Sequence, residues 1–207
     1  GIAPSVRTVS ADGETIAMPD PPAEIVRLEV AELGSYMVIG ANAECQVDTY
    51  SSDDGATWTP SGSPPANWWY LPPGGLSTSL ETGAGQVGVG CKVVSISVVQ
   101  VSKAYAACED GTIRATTDRG LSWTSLGAVQ WLVAIAFVDA PNGYALAATA
   151  DCPSAVLATE DGGATWTQIS CIDGLKPQAL DADGSDVVAL VSDKLWRSAD
   201  GGVSWSA

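Results

Sequence analysis

One eight-residue pattern occurs four times in this chain of 207 residues: Ser or Thr, any residue, Asp, any residue, Gly, any residue, Ser or Thr, and Trp. The copies, called octets below, cover residues 51–58, 116–123, 159–166 and 198–205. The hydroxyl and the carboxylate can accept hydrogen bonds from backbone N–H groups and close a turn, while the Gly permits a positive φ. The octet therefore predicts a β-hairpin turn that leads into a strand. The positions assigned to these turns are Ser51, Asp53, Gly55, Trp58, Thr116, Asp118, Gly120, Trp123, Thr159, Asp161, Gly163, Trp166, Ser198, Asp200, Gly202 and Trp205.

The spacing of the octets predicts an all-β repeat fold. Their aspartates are separated by 65, 43 and 39 residues, and the last two intervals fit one four-stranded propeller blade of about 40–50 residues. We predict a β-propeller of about five four-stranded blades: four that carry octets and a terminal remainder, an arrangement that an incomplete ring would also produce. The remainder includes residues 5–17, which are expected to form one or two strands, and residues 131–138 are expected to form the first strand of the third octet-bearing blade.

The octets resemble the repeat of the Asp-box, or bacterial neuraminidase repeat, family, whose pattern is S-x-D-x-G-x-x-W. This resemblance implies a β-propeller in which each octet joins the third and fourth strands of a blade, away from any active site. It therefore implies a structural role for the octets and brings no catalytic residue with it.

The first interval is longer because residues 63–90 do not follow the repeat. We treat residues 1–207 as a single propeller domain with 63–90 as an aromatic and Gly-rich insertion between its first two octet-bearing blades. The insertion contains Trp68, Trp69 and Tyr70 between pairs of prolines. These aromatic side chains either contact a ligand or pack over a seam between blades, and the sequence leaves both readings open.

Charge and composition limit the partners. The chain has 24 acidic and 9 basic residues, a net charge of −15 and no His. Nucleic acids and anionic membrane surfaces require basic patches, so neither is an expected partner. No apolar run is long enough for a membrane-spanning helix. We expect no cofactor and no metal site, and we read Asp181, Asp183 and Asp186 as part of a hairpin turn in preference to a calcium loop.

The five cysteines indicate an oxidising compartment. On the predicted strands, Cys91 and Cys108 lie at neighbouring strand ends, and Cys152 and Cys171 flank the third octet. We therefore predict the bridges Cys91–Cys108 and Cys152–Cys171, with Cys45 left over.

The sequence does not support a catalytic site. Sialidases of the Asp-box family use an arginine triad, a Tyr–Glu pair and an Asp acid, and none of these is recognisable here. No spacing among the acidic residues selects a carboxylate pair for glycoside hydrolysis. We therefore expect no catalytic residues.

These observations lead to a functional hypothesis. We expect a non-enzymatic, secreted or cell-envelope protein of bacterial type that binds a protein partner or assists assembly of a complex. The non-catalytic Asp-box propellers that it resembles include photosystem II assembly factors and sortilin-type propellers. The alternative is a carbohydrate-binding protein or a sialidase-like glycoside hydrolase at the cell surface.

Overall fold

The fold was analysed in a computed structural model that describes residues 7–9, 15–32, 35–65, 67–82 and 84–207. The described residues form β-strands joined by turns, with no helix among them. Every strand pairing with an assigned register is antiparallel. The chain divides into two compact units, one of Gly1–Gly75 with Glu81–Gly85 and one of Leu76–Leu80 with Gln86–Ala207.

The first unit contains two sheets and a short strand pair. Strands β1 (Arg7–Val9) and β2 (Thr15–Ala17) pair antiparallel, and residues 10–14 lie outside the described residues. A four-stranded sheet, blade 1, consists of β3 (Glu24–Glu32), β4 (Ser35–Ala41), β5 (Val47–Ser52) and β6 (Thr59–Gly62). Strand β7 (Trp69–Tyr70) pairs with the end of β8 (Ser77–Thr82). Residues 63–90 thus contain β7, β8 and the first residues of the long strand Gly85–Gln100.

The second unit contains three successive blade sheets, which differ in their number of strands, so the prediction of four strands in every blade is wrong. Blade 2 consists of β9 (Gly85–Gln100), β10 (Lys103–Cys108), β11 (Thr112–Thr116) and β12 (Thr124–Ala128), and its sheet continues from β9 into β8. Blade 3 consists of β13 (Leu132–Phe137), β14 (Gly143–Ala147), β15 (Ala155–Thr159) and β16 (Thr167–Cys171). Blade 4 consists of β17 (Pro177–Asp183), β18 (Asp186–Val191) and β19 (Lys194–Ser198), followed by one isolated bridge between Arg197 and Ser206.

The all-β propeller class is therefore confirmed, with four blade sheets among the described residues. The pair β1–β2 is a remainder of two strands, so a count of about five blades stays a prediction. Asp183 and Asp186 close the hairpin between β17 and β18, as the hairpin reading of that segment requires.

The core of the second unit lies between successive blades. Ile135 and Phe137 of blade 3 pack with Tyr105 of blade 2 in one buried cluster. Val156 of blade 3 and Val191 of blade 4 belong to a second cluster. Small residues alternate with branched ones on these strands, and this alternation lets the twisted sheets approach each other closely.

Candidate functional site

The last three octets form turns with the same hydrogen bonds. In the second octet, the Thr116 hydroxyl donates to Asp118 at 2.8 Å and accepts from the Gly120 N–H at 2.9 Å. The third and fourth octets repeat both bonds from Thr159 and Ser198. All three hydroxyl-bearing residues are buried, so each satisfies a backbone N–H that water does not reach. These bonds agree with the turn role predicted for the three octets.

The octet aspartates are bound within their own turns. The backbone N–H groups of Ser122, Thr165 and Ser204 each donate to the aspartate of their octet at 2.9 Å, and their hydroxyls donate to its second oxygen. The hydroxyl bond, followed by the backbone bond, lowers the pKa of Asp118 and of Asp161 to about 2. The same two bonds lower the pKa of Asp200 as well. At neutral pH these carboxylates are turn acceptors, and they are not placed as general acids.

The first octet is built differently from the other three. Its hydrogen bonds are made by Ser52 and Asp54, so the assignment of Ser51 and Asp53 to this turn is wrong. The Ser52 hydroxyl accepts from the Gly55 N–H at 2.8 Å, and Asp54 accepts from the Thr57 N–H at 2.7 Å. The bond from the Thr57 N–H is the main reason that the pKa of Asp54 falls to about 2.

Backbone conformation explains this shift by one residue. The other three turns contain two successive left-handed residues, whereas the first contains only Gly55, at φ 72°. The first turn is therefore one residue shorter, and its carboxylate must lie one residue nearer the Trp. Because residues 53 and 54 are both aspartate, the sequence is compatible with either carboxylate as the acceptor of the turn. The left-handed pairs and their φ values are Arg119 (63°) with Gly120 (83°), Gly162 (73°) with Gly163 (91°), and Gly201 (72°) with Gly202 (83°).

Within the second unit, octets also join neighbouring blades. The Gly163 carbonyl accepts from Trp166 Nε1 of its own octet at 3.1 Å and from the Gly127 N–H of blade 2 at 2.9 Å. The equivalent Gly202 carbonyl accepts from Trp205 Nε1 and from the Ser170 hydroxyl of blade 3. A Cβ on Gly127 would lie only 2.5 Å from the Ala164 carbonyl oxygen, so that approach requires glycine.

The three aromatic residues of the insertion lie in the first unit and are buried or half-buried. Trp69 is 2% exposed, so of the two readings left open for these aromatic residues, packing is the correct one for its side chain and ligand contact is not. Its carbonyl accepts a hydrogen bond from Arg27, whose guanidinium also lies over the Trp68 ring at 5.5 Å from the centroid. Trp68 and Tyr70 are half-buried, and ligand contact at these two residues stays a prediction.

Two cavities lie between blades of the second unit. One, of about 540 Å³, has Lys103, Tyr105, Ser122 and Asp161 in its lining. The other, of about 620 Å³, lies between blades 3 and 4 and has Asp139, Tyr144, Glu160 and Asp183 in its lining. The Tyr105 hydroxyl donates to the Ala140 carbonyl at 2.6 Å, so it is already engaged. Among the described residues, no group of three or more His, Cys, Asp and Glu side chains could hold a metal ion.

The opposite ends of the blades in the second unit carry the disulfides. Both predicted bridges, Cys91–Cys108 and Cys152–Cys171, are present, each with a Cα–Cα distance of 5.8 Å. Cys45, in the first unit, is exposed and free. We call the edge of the second unit that contains these bridges the disulfide end, and the edge formed by octets 116–123, 159–166 and 198–205 the octet end.

The disulfide end presents a tryptophan that sequence reasoning missed. Residues 131–138 were expected to be strand, but β13 starts at Leu132, and Trp131 precedes it with φ 57° and a side chain that is 74% exposed. Leu175, in the corresponding connection between blades 3 and 4, is 79% exposed. The sequence held no signal that separates Trp131 from the apolar strand that follows it.

Comparisons with known proteins show likeness in structure only. No family model and no curated protein sequence matches the chain. A structure of YCF48 bound to D1 peptide is 21% identical, with a TM-score of 0.48, over 58% of this chain and 41% of that one. The GH74 xyloglucanase of Xanthomonas campestris is 19% identical, with a TM-score of 0.44, over 93% of this chain and 32% of the enzyme. The chain thus spans less than half the length of either protein.

A lectin from Aleuria aurantia, in complex with α-methyl-L-fucoside, has a TM-score of 0.52. It is 16% identical to this chain, over 88% of this chain and 76% of the lectin. At this identity the likeness concerns the fold alone, and it agrees with the blade sheets described above.

Proposed function

We propose that this chain is a non-enzymatic binding module that acts through protein–protein contacts outside the cytoplasm. The observation that carries the proposal is the exposed indole of Trp131. Tryptophan is enriched among the residues that dominate the energy of protein interfaces, since it buries a large area for the loss of few rotamers. Its neighbours Val129 and Leu132 are buried, so the loop that presents the indole is anchored on both sides.

Leu175 extends the same candidate surface. The loop between β14 and β15 connects the two positions, because the Ala148 N–H donates to the Trp131 carbonyl and the Ser154 hydroxyl donates to the Gly174 carbonyl. The Cys152–Cys171 bridge links this loop to the last residue of β16. Trp131 and Leu175 are therefore presented on a cross-linked support, and such preorganisation lowers the entropic cost of association.

The location and the family are part of the proposal. Two disulfides fit an oxidising compartment, and the octets fit membership of the Asp-box family in its non-catalytic branch. The absence of catalytic function is supported by the octet aspartates, whose oxygens are used within their own turns. Among the described residues, no helix is both long and apolar enough to cross a membrane.

Site-specific photo-cross-linking tests the proposal. A benzophenone amino acid at position 175, in cells that produce the protein natively, should yield one discrete adduct that mass spectrometry identifies as protein. Trp131→Ala in the same chain should reduce the yield of this adduct at least fivefold. The matched control carries the photoreactive group at position 121, because Leu121 is 86% exposed at the octet end. Equal labelling from both positions, or none from 175, would overturn the proposal.

A second candidate function is glycan binding in the 540 Å³ cavity. Its lining combines Lys103 with the hydroxyl-bearing residues Thr117, Ser122 and Thr124 beside the apolar Leu126, a mixture that suits a small polyhydroxylated ligand. A glycan array with a Thr117→Val control tests this candidate. Saturable glycan binding that is lost in the variant would favour it over the protein-binding role.

A further inference from the structure

The backbone at Trp131 adopts a conformation that its side chain disfavours. Its φ of 57° lies in the left-handed region, where residues other than Gly, Asn and Asp are rare, because Cβ approaches the following carbonyl. The conformation is maintained by neighbouring hydrogen bonds, from Ala148 N–H to the Trp131 carbonyl at 3.1 Å and from Val129 N–H to the Gly111 carbonyl at 2.9 Å. A strained and exposed aromatic residue that its surroundings keep in place is typical of a functional position.

The same hydrogen bonds place acidic segments on both sides of Trp131. The bond to Gly111 sets the Glu109–Asp110 turn beside residues 129–130, and the bond from Ala148 sets the loop that contains Asp151 on the other side. Glu109 is paired with Lys92 at 3.4 Å, whereas Asp110, on which the charge of Arg114 also acts, and Asp151 form no direct ion pair within the described residues. The Thr112 N–H donates to Asp110 and holds the pKa of that carboxyl below its usual range, so its charge is present at neutral pH.

We propose that Trp131 receives a cationic side chain, arginine or lysine, from a protein partner. The flat face of an indole attracts a cation, and the flanking carboxylates Asp110 and Asp151 add charge complementarity. This inference rests on the proposed protein-binding function and specifies its partner: a basic, partly apolar segment whose cation stacks on Trp131 while an apolar neighbour contacts Leu175. The net charge of −15 favours the approach of such a partner from a distance.

A glycan is the less suitable occupant of this position. Sugar sites need converging polar groups in a concave pocket, and Trp131 lines neither of the two cavities described above. The segments that are hydrogen-bonded on either side of Trp131 contain Asp110 and Asp151, from which a neutral sugar would gain little.

The probes are the blocked tripeptide Leu-Arg-Leu and its counterpart with citrulline, which keeps the shape of arginine without its charge. The readout is the indole N–H signal of Trp131 in two-dimensional NMR of the full chain, identified by its absence in Trp131→Phe. The arginine peptide should shift this signal with saturation and should bind at least tenfold more tightly than the citrulline peptide. The double variant Asp110→Asn/Asp151→Asn should weaken the arginine peptide about fivefold or more, and Leu121→Ala should leave it unchanged.

Each outcome decides between the interpretations. Equal binding of the two peptides would overturn the cation proposal and leave the protein-binding function to be judged by the cross-linking at position 175. No shift of the Trp131 signal with either peptide would also overturn it, and preserved dispersion of the other amide signals would show that the variants remain folded. A shift produced by neutral monosaccharides and not by the arginine peptide would assign the position to a glycan.

Discussion

The two ends of the blades in the second unit are stabilised in different ways. At the octet end, hydroxyl and carboxylate side chains bind the backbone of their own turns in the same pattern three times. At the disulfide end, the connections differ from blade to blade, and covalent bridges replace the repeated hydrogen bonds. Apolar side chains are exposed at both ends, but at the octet end they are the turn residues Leu121 and Val203.

The difference indicates which end can vary without loss of the fold. An octet leaves little freedom, because its hydroxyl, carboxylate and left-handed glycine all have partners within eight residues. A connection secured by a disulfide requires only that two cysteines meet, so its other residues are available for recognition. Leu175 lies in the connection that follows Cys171, and Trp131 is hydrogen-bonded through its carbonyl to the loop that contains Cys152. Four experiments test this contrast.

Removal of the bridge in blade 3 should have the largest effect. The double variant Cys152→Ser/Cys171→Ser should lose about 3 kcal/mol of unfolding free energy, because the unfolded chain regains the entropy of a closed loop. Urea denaturation measures the loss. Cys45→Ser is the control and should change little, since Cys45 is exposed and free. A loss below about 1 kcal/mol would mean that the disulfide end does not depend on its covalent bridge.

Loss of an octet hydroxyl should cost somewhat less. Thr159→Ala should lower the free energy of unfolding by about 2 kcal/mol, because it leaves the buried Gly163 N–H without an acceptor. Thr159→Ser retains the hydroxyl and should retain most of the stability. In the first octet, Ser52→Ala should be destabilising and Ser51→Ala close to neutral. The reverse order would contradict the shorter turn described for that octet.

Relief of backbone strain should give a small gain at both ends. The turns of the last three octets each contain two left-handed residues. Five of these six residues are glycine, and the sixth is Arg119. Arg119→Gly should raise the free energy of unfolding by about 0.5 kcal/mol, since the strain relieved exceeds the extra entropy that glycine brings to the unfolded chain. Trp131→Gly should stabilise similarly while it abolishes peptide binding. Stabilisation without loss of binding would separate the strain at Trp131 from its proposed function.

Acid should weaken the octet end gradually. The pKa values of Asp118 and Asp161 are lowered to about 2 in the folded protein, so the unfolded chain takes up protons first as the pH falls. Their contribution to stability is complete above about pH 5, where the carboxyls of the unfolded chain are also ionised, and is lost between about pH 5 and 2. The thermal midpoint should fall over this interval, and less steeply in Asp161→Asn than in the parent chain. Equal slopes would mean that the Asp161 carboxylate does not contribute to the acid dependence.

The repeated features were predictable from the sequence, and the exceptional ones were not. Four octets at near-regular spacing determine where hairpins occur, and the alternation of apolar residues in the strands determines which faces are buried. The positions of Cys91 and Cys108 on neighbouring strands then indicated their bridge. Each of these predictions depends on local chemistry that acts in the same way wherever it is repeated.

The failures occurred where the chain departs from its repeat. Residues 53 and 54 are both aspartate, so the sequence does not show which of them binds the turn. The number of left-handed residues in the turn decides this, and it selects Asp54. For Trp69 the sequence left ligand contact and packing open, and only the structure shows that the side chain is buried. Trp131 was assigned to a strand because apolar residues follow it. Its orientation depends on contacts with the loops at 111 and 148, which are distant in sequence.

The carbonyl groups of Gly163 and Gly202 bear on the size of the cooperative unit in folding. Each of them becomes correctly oriented only when its own turn closes, and each then accepts a hydrogen bond from the preceding blade. Completion of one sheet is thereby coupled to attachment of the next, so blades 2, 3 and 4 are expected to melt in a single transition. A blade excised alone would lose the hydrogen bonds that it forms with its neighbours through these carbonyl groups. The smallest fragment suitable for transplantation into another scaffold is therefore a pair of adjacent blades.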